Sequence, residues 1–417
     1  MLRRVLVLVF AGIAFAASAF AQQNRIDVVT PSAPELASYG TYAIGVRTLQ
    51  ATDKNRPDIL NTKEGSPTAR YDRTLTLEVW YPAALAAGQK PGGDYRAVTR
   101  DPAITVTLHG QAVRDAAPLT KDAPFPMVII SHGYPGNRYL MSHLSENLAS
   151  KGFITVSIDH TDSTYDDQKT FGSTLYNRAF DQLFVLNEME RLGKPNSSSF
   201  LSGRLDASRT GIVGYSMGGY GVVNVVGGGY SKASETITGA PPNKLLADRG
   251  AANPEYRKTI DARIKAAIAI APWGMAGGFW DADGLKGIAT PVLFVAGSVD
   301  EVAGYEKGTK AVYQGAVNAD RYLLTFINAN HNAGAPIPAP VETYAAVEAG
   351  RPAAFAHYAD AVWDTVRMNN ILDHFATAYF DVYLKGEQEK KAYFEGWKGF
   401  KRGTAVGLTL EHAAPGK

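Results

Sequence analysis

The chain has 417 residues, 45% of them hydrophobic, ample for a large core and long enough by count alone for more than one domain. It contains no cysteine, which excludes disulfides, thiolate metal sites and a cysteine nucleophile. Basic and acidic residues nearly balance at 42 and 40, with no basic block, which argues against nucleic acid as a partner.

Arg3 and Arg4 precede an apolar run from Val5 to Phe15, and Ala19-Phe20-Ala21 has the small-x-small pattern of a cleavage site. This pattern predicts a signal peptide over 1–21 and a periplasmic or secreted protein. The apolar run is short for a membrane anchor. A single domain is expected over 22–417, with insertions near 83–124 and 227–262. Residues 22–35 read as a loose lead-in, 41–46 as a first strand, and the Asp-, Asn-, Lys- and Pro-rich stretch 50–70 as a loop. Thr74 to Tyr81 alternates as a half-buried strand stopped by Pro82, and 104–109 alternates as a small edge strand. Continuous apolar runs at 126–131, 153–158, 266–271, 291–296 and 322–327 have the form of strands buried on both faces of a parallel sheet. Helices are predicted over 139–151, 176–192 and 368–384, ended by Gly152, Gly193 and Gly386. Residues 227–262 break this rhythm with Gly227-Gly228-Gly229 and Gly239-Ala-Pro-Pro242. They read as a surface excursion, with a lid over the site as the other reading. Strands alternating with helices give an α/β fold, a mostly parallel sheet with helices on both faces.

Ile212 and Val213 form a buried strand that runs into Gly214-Tyr215-Ser216-Met217-Gly218. Gly-x-Ser-x-Gly between a strand and a helix is the pattern of a nucleophile elbow. The serine sits on a strained turn, so the residues two places either side must be small. Ligands of such sheets bind beyond the carboxyl ends of the strands. A serine hydroxyl needs a base, and His331, after the last parallel strand, is the best placed. Asp300, after the preceding strand, can orient that imidazole; Asp281, Asp283 and Glu301 are rival acids. The order Ser216, Asp300, His331 is that of α/β-hydrolases and not of the other triad folds. No metal-ligand spacing and no dinucleotide fingerprint is present, so neither a metal nor a cofactor is expected.

These residues resemble the α/β-hydrolases, and within them the dienelactone-hydrolase-like and platelet-activating-factor-acetylhydrolase-like bacterial esterases. The likeness rests on Ser131-His-Gly-Tyr-Pro-Gly-Asn-Arg138, Ile158-Asp-His160, Gly214 to Gly219, Gly297-Ser-Val-Asp300 and His331. It implies an α/β-hydrolase fold and an oxyanion hole built from the backbone N–H groups of Met217 and Tyr134. Ala271-Pro272-Trp273 resembles a turn of cutinase-like polyester hydrolases, in which the Trp walls the acyl site. Tyr134 and Tyr215 would flank the same cleft. Cutinase-like enzymes usually carry a disulfide near the C-terminus, and this chain departs from them there. The expected activity is hydrolysis of carboxylic esters, small or polymeric, through an acyl-enzyme. Polyester or lipid acyl hydrolysis is the alternative; an amidase, peptidase or non-catalytic binding protein is less expected. His132 is expected to shape the oxyanion loop, and His160 and Asp162 to form a hydrogen-bonded turn or supporting pair. His109 is expected to be inert, and His143, His357, His374 and His412 to lie on helix faces or in the tail.

Overall fold

In the computed structural model, residues 24–345 and 353–416 are described, so the expected leader lies outside them. The chain opens with a long hairpin, β1 (Ala43–Pro57) and β2 (Arg70–Ala84). The insertion then forms β3 (Gly93–Val98), β4 (Thr105–Gly110) and two short strands, β5 (Val113–Arg114) and β6 (Ala117–Pro118). The alternating unit follows: β7 (Phe125–Ser131), α1 (Ser142–Ala149), β8 (Ile154–Asp159), α2 (Phe171–Gly193), β9 (Leu205–Tyr215) and α3 (Met217–Val225). The short α4 (Pro254–Lys258) leads to β10 (Ile264–Ile270), α5 (Ala282–Leu285), β11 (Val292–Gly297), α6 (Lys310–Gly315) and β12 (Arg321–Phe326). α7 (Thr365–Phe380) and β13 (Leu408–Ala413) close the chain.

The main sheet runs β13-β12-β11-β10-β9-β7-β8-β2-β1-β5. Its centre, from β8 to β12, is parallel; β2 joins β8 and β13 joins β12 antiparallel. Side chains alternate across a strand, so a central strand with no polar face must feed two cores. In β7, Met127 and Ile129 pack with Leu175, Ala179 and Leu186 of α2. Val128 and Ile130 pack on the opposite face with Leu144 of α1 and Phe375 of α7. The fold is therefore the expected α/β-hydrolase type, with helices on both faces. Among the described residues no helix is long and apolar enough to cross a membrane.

The structure differs from the sequence expectation at both sheet edges. Residues 50–57, expected as loop, extend β1, and every residue from Ala43 to Asp53 pairs with β2. Ala51 is the one residue of this extension in the apolar core, while Gln50 and Thr52 hydrogen bond across to Thr76 and Thr74, so the strand has a polar composition. β13 leaves no continuous apolar run in the sequence because it is an edge strand with no fully buried residue.

The insertion is fastened by a buried carboxylate on α1. Glu146 accepts hydrogen bonds from the amides of Gln111 (2.8 Å) and Ala112 (3.0 Å) and from the hydroxyls of Tyr39 and Tyr95. Burial raises its pKa against those donors. A Glu146→Leu substitution leaves several buried donors without an acceptor, and is expected to lower folding stability by about 3 kcal/mol. Glu146→Gln, which keeps an acceptor, is expected to lose less than half as much. Denaturant titration of the two variants beside wild type measures the difference.

Candidate active site

Ser216 occupies the turn between β9 and α3 with φ 54° and ψ −114°, a backbone region that costs a non-glycine residue on the order of 1–3 kcal/mol. Its neighbours show how that conformation is enforced. A Cβ on Gly214 would overlap the Gly218 carbonyl, and one on Gly218 would overlap the Ser131 carbonyl oxygen. The amide of Ser216 donates to Ile270 (2.9 Å), and its carbonyl accepts from Tyr220 (2.9 Å) and Trp273 (3.2 Å). The serine is thus held on three sides, with its hydroxyl at the sheet's carboxyl edge.

His331 Nε2 lies 3.0 Å from Ser216 Oγ, and His331 Nδ1 lies 3.0 and 3.1 Å from the two oxygens of Asp300. With Nδ1–H donating to Asp300, Nε2 is left to accept the serine proton. Asp300 Oδ1 also accepts the amides of Val302 (2.8 Å) and Ala303 (2.9 Å). Burial works against the Asp300 charge, but the His331 contact and those amides outweigh it and lower its pKa below the ordinary 3.8. The rival acids lie elsewhere. Asp281 caps α5 through the Gly284 amide, Asp283 pairs with Lys286, and Glu301 accepts from Asn330 Nδ2.

Met217 is the first residue of α3, where backbone N–H groups lack intrahelical partners. The loop carrying Tyr134 lies directly against the serine: a Cβ on Gly133 would come within 3.1 Å of Ser216 Cβ. Arg178 of α2 holds this loop from beneath, donating to the carbonyls of His132 (2.8 Å) and Gly133 (3.4 Å) and to Ser163 Oγ. Tyr134 and Tyr215 line a cavity of about 620 Å³ that opens over Ser216 and His331. Tyr215 lies tilted against the His331 ring at 5.1 Å and donates to Asn332 Oδ1 (3.2 Å). Trp273 does not line that cavity. It packs edge-on against Phe171, which in turn meets Tyr134, and on its other side against Phe279.

Much of the cavity wall comes from a stretch that carried no signal in the sequence, residues 353–361. No residue of 227–262 lines it; Asn243 there reaches instead to Gly65 and Ser66. His357, expected on a helix face or in the tail, lies in the cavity wall. Burial and the nearby Arg100 charge push it down to about 3. The other histidines are structural. His109 pairs with Asp94, His143 meets the Ala335 carbonyl, His374 accepts the Leu36 amide, and His412 stacks on Tyr322.

His160 does not pair with Asp162. Its Nε2 accepts from Ser131 (2.8 Å) and its Nδ1 meets Asp181 of α2 (3.0 Å), a carboxylate not anticipated in the sequence. Asp181 is completely buried and also receives Arg73 at 2.8 and 2.9 Å and Arg56 at 3.2 Å. Burial opposes its charge, yet Arg73, His160 and Arg56 hold its pKa far below 3.8. Asp162 pairs with Arg73 and accepts from Ser173. Serine, imidazole and carboxylate are hydrogen bonded here in the same order as around Ser216, but Ser131 has no exposure at all. This second set is a brace under the Tyr134 loop: His160 N donates to His132 Nε2 at 3.3 Å.

Two family models match parts of the chain: PET hydrolase-like over residues 106–242, and platelet-activating factor acetylhydrolase, isoform II, over 38–173. The fold is of the α/β-hydrolase type, and the parts of the chain that these models match are similar to esterase families. It is 27% identical over 205 residues to cutinase est1 of Thermobifida alba, covering 49% of this chain and 52% of that one. It is 26% identical over 213 residues to a bis(hydroxyethyl) terephthalate hydrolase of Streptomyces coelicolor, covering 51% and 52%. The match spans about half the length of these curated relatives. A ferulic acid esterase structure from Streptomyces cinnamoneus shares the fold at a TM-score of 0.56 and 20% identity, covering 93% of this chain and 99% of that one.

The buried histidine brace carries a pH dependence. Burial and the Arg178 charge, against the pull of Asp181, push His160 down to about 3. Below about pH 6.5 the unfolded chain takes up a proton that the folded His160 refuses, so stability falls with acidification down to about pH 3. The loss from this one group is about 1 kcal/mol per pH unit. Thermal midpoints measured from pH 7 to 4 are expected to drop for wild type, and to depend less steeply on pH for His160→Asn, whatever its absolute stability.

Proposed function

We propose that the protein is an exported serine esterase that cleaves carboxylic esters through an acyl-enzyme on Ser216. The observation that carries this reading is the unbroken hydrogen-bonded line Ser216–His331–Asp300 at the mouth of a cavity, on a glycine-enforced elbow. The esterase names of the relatives support the chemistry, and the Arg3 to Ala21 pattern supports export.

In this mechanism Ser216 Oγ attacks the ester carbonyl while its proton passes to His331 Nε2, and Asp300 stabilises the imidazolium. The carbonyl oxygen, now negative, sits between the amides of Met217 and Tyr134, at the positive end of α3. Collapse of the tetrahedral intermediate expels the alcohol, which takes its proton from His331. Water, activated by the same His331, then releases the acid from Ser216. Arg178 and the His160–Asp181 brace hold the Tyr134 amide in place before substrate arrives. A polyester or lipid would share every step. The cavity of about 620 Å³ falls in the size range of small-ligand sites and favours a small ester.

Ser216→Ala is expected to lower turnover of chromogenic aryl esters by about 10⁴-fold or more while leaving the fold intact. A fluorophosphonate probe is expected to label wild type and not the variant. Equal turnover by both proteins, or absence of labelling in wild type, excludes the assignment.

A further inference from the structure

Among the described residues lining the cavity over Ser216, Arg100 is the only lysine or arginine. It comes from the turn between β3 and β4, far from the triad in sequence. That turn is rigid: the Thr99 amide donates to Ile104 and the Thr99 hydroxyl to Asp101, and Asn137 Nδ2 grips the Val98 carbonyl at 2.8 Å. Asn137 belongs to the same loop as Tyr134, so Arg100 is presented from an element tied to the loop beside the nucleophile.

Several arginines elsewhere in the molecule have carboxylate partners, while Arg178 and Arg249 donate to carbonyl, amide and hydroxyl oxygens. Arg73 pairs with Asp162 and Asp181, and Arg138 with Glu78 and Asp159. No such ion pair forms at Arg100 among the described residues. One carboxylate does line the same cavity, Asp360, but its oxygens are occupied. They accept the amides of Asn330 (2.7 Å), Val362 (2.9 Å) and Trp363 (2.9 Å). Beside Arg100, His357 presents a buried Nε2 with no protein partner among the described residues. Burial and the Arg100 charge keep that ring neutral, so one of its nitrogens carries a hydrogen that can be donated without a second positive charge. Tyr134, Tyr215 and Phe355 supply apolar wall to the same cavity.

We propose that this cavity takes an ester bearing a second, ionised carboxylate, a half-ester of a dicarboxylic acid, with Arg100 holding the free carboxylate while Ser216 attacks the ester carbonyl. The planar guanidinium fork matches a carboxylate in two parallel hydrogen bonds, and the partial exclusion of water strengthens that pairing. The inference rests on the esterase reading and adds its substrate class. The reaction consumes one water and yields the dicarboxylate, the alcohol and a proton. The remote carboxylate takes no part in bond making or breaking.

The test uses two esters that differ only at the far end, the mono(4-nitrophenyl) ester of adipic acid and 4-nitrophenyl hexanoate. The quantity read is the ratio of kcat/KM for the acidic ester to that for the neutral one. Arg100→Gln is expected to lower this ratio at least about tenfold, the effect of losing one charged hydrogen-bonded pair. Arg100→Lys, which keeps the charge without the fork, is expected to fall between. High salt is expected to lower the ratio in wild type and not in Arg100→Gln. A ratio that Arg100→Gln leaves unchanged overturns the proposal, and because both esters are measured on the same protein sample, partial misfolding does not mimic either result. Calorimetric binding of adipate to the Ser216→Ala protein, lost on adding Arg100→Gln, reads the carboxylate site without catalysis. Adipate binding that depends on Arg100 in a protein that hydrolyses neither ester upholds the carboxylate site and removes the esterase reading. Hydrolysis of both esters with no Arg100-dependent binding does the reverse.

Discussion

One buried carboxylate, Asp181, joins elements that the chain itself never brings near one another. It sits on α2 and receives Arg56 and Arg73 from the β1–β2 hairpin and His160 from the end of β8. Through His160 it reaches Ser131 at the end of β7, where the loop beside the nucleophile begins. A charge removed from water is costly unless it is fully paired, and here three partners surround one group. The arrangement does little for net stability by itself. Its physical effect is geometric, because each partner has a single position that satisfies the carboxylate. The antiparallel hairpin, the parallel sheet and the loop over Ser216 are registered to one another at this point.

The elbow depends on that registration. Gly218 passes so close to the Ser131 carbonyl that no side chain fits between them. Small displacements of β7 against β9 would therefore be felt at Ser216 directly. The braced side, under the Tyr134 loop, is dense with charge and hydrogen bonds. The cavity side mixes aromatic and aliphatic wall with a few polar groups, among them His331, His357, Asp360 and Arg100, the one arginine of its described lining. The same sheet edge thus presents a densely hydrogen-bonded floor and a chamber of mixed lining.

Much of this was legible in the sequence where chemistry and local pattern coincide. Gly214, Ser216 and Gly218 announce a turn whose sterics allow little else, and Asp300 and His331 each follow an unbroken apolar strand. The central sheet was legible because a strand buried on both faces has no polar alternation to confuse it. The edges were not, because β1 beyond Leu49 and β13 are half-exposed and read as polar chain. Asp181 and Arg178 were invisible for another reason. They lie on the helix predicted over 176–192, where a charged residue passes for solvated surface until its long-range partners are known. In fact Leu183 and Phe184 are only partly buried, while Asp181 is enclosed. Arg100 and residues 353–361 belong to irregular segments, which have no periodicity to place them over a site.

The cover of the cavity grips His331 from both sides. On one side the amide of Asn330 is bound to Asp360; on the other, Asn332 Nδ2 donates to the Ala359 carbonyl at 2.6 Å. The base is thus slung between two anchors that belong to the roof of its own chamber. A shift of residues 353–361 is therefore carried to the segment that bears the imidazole through both hydrogen bonds. The wall of the chamber and the position of the proton carrier are thus set together.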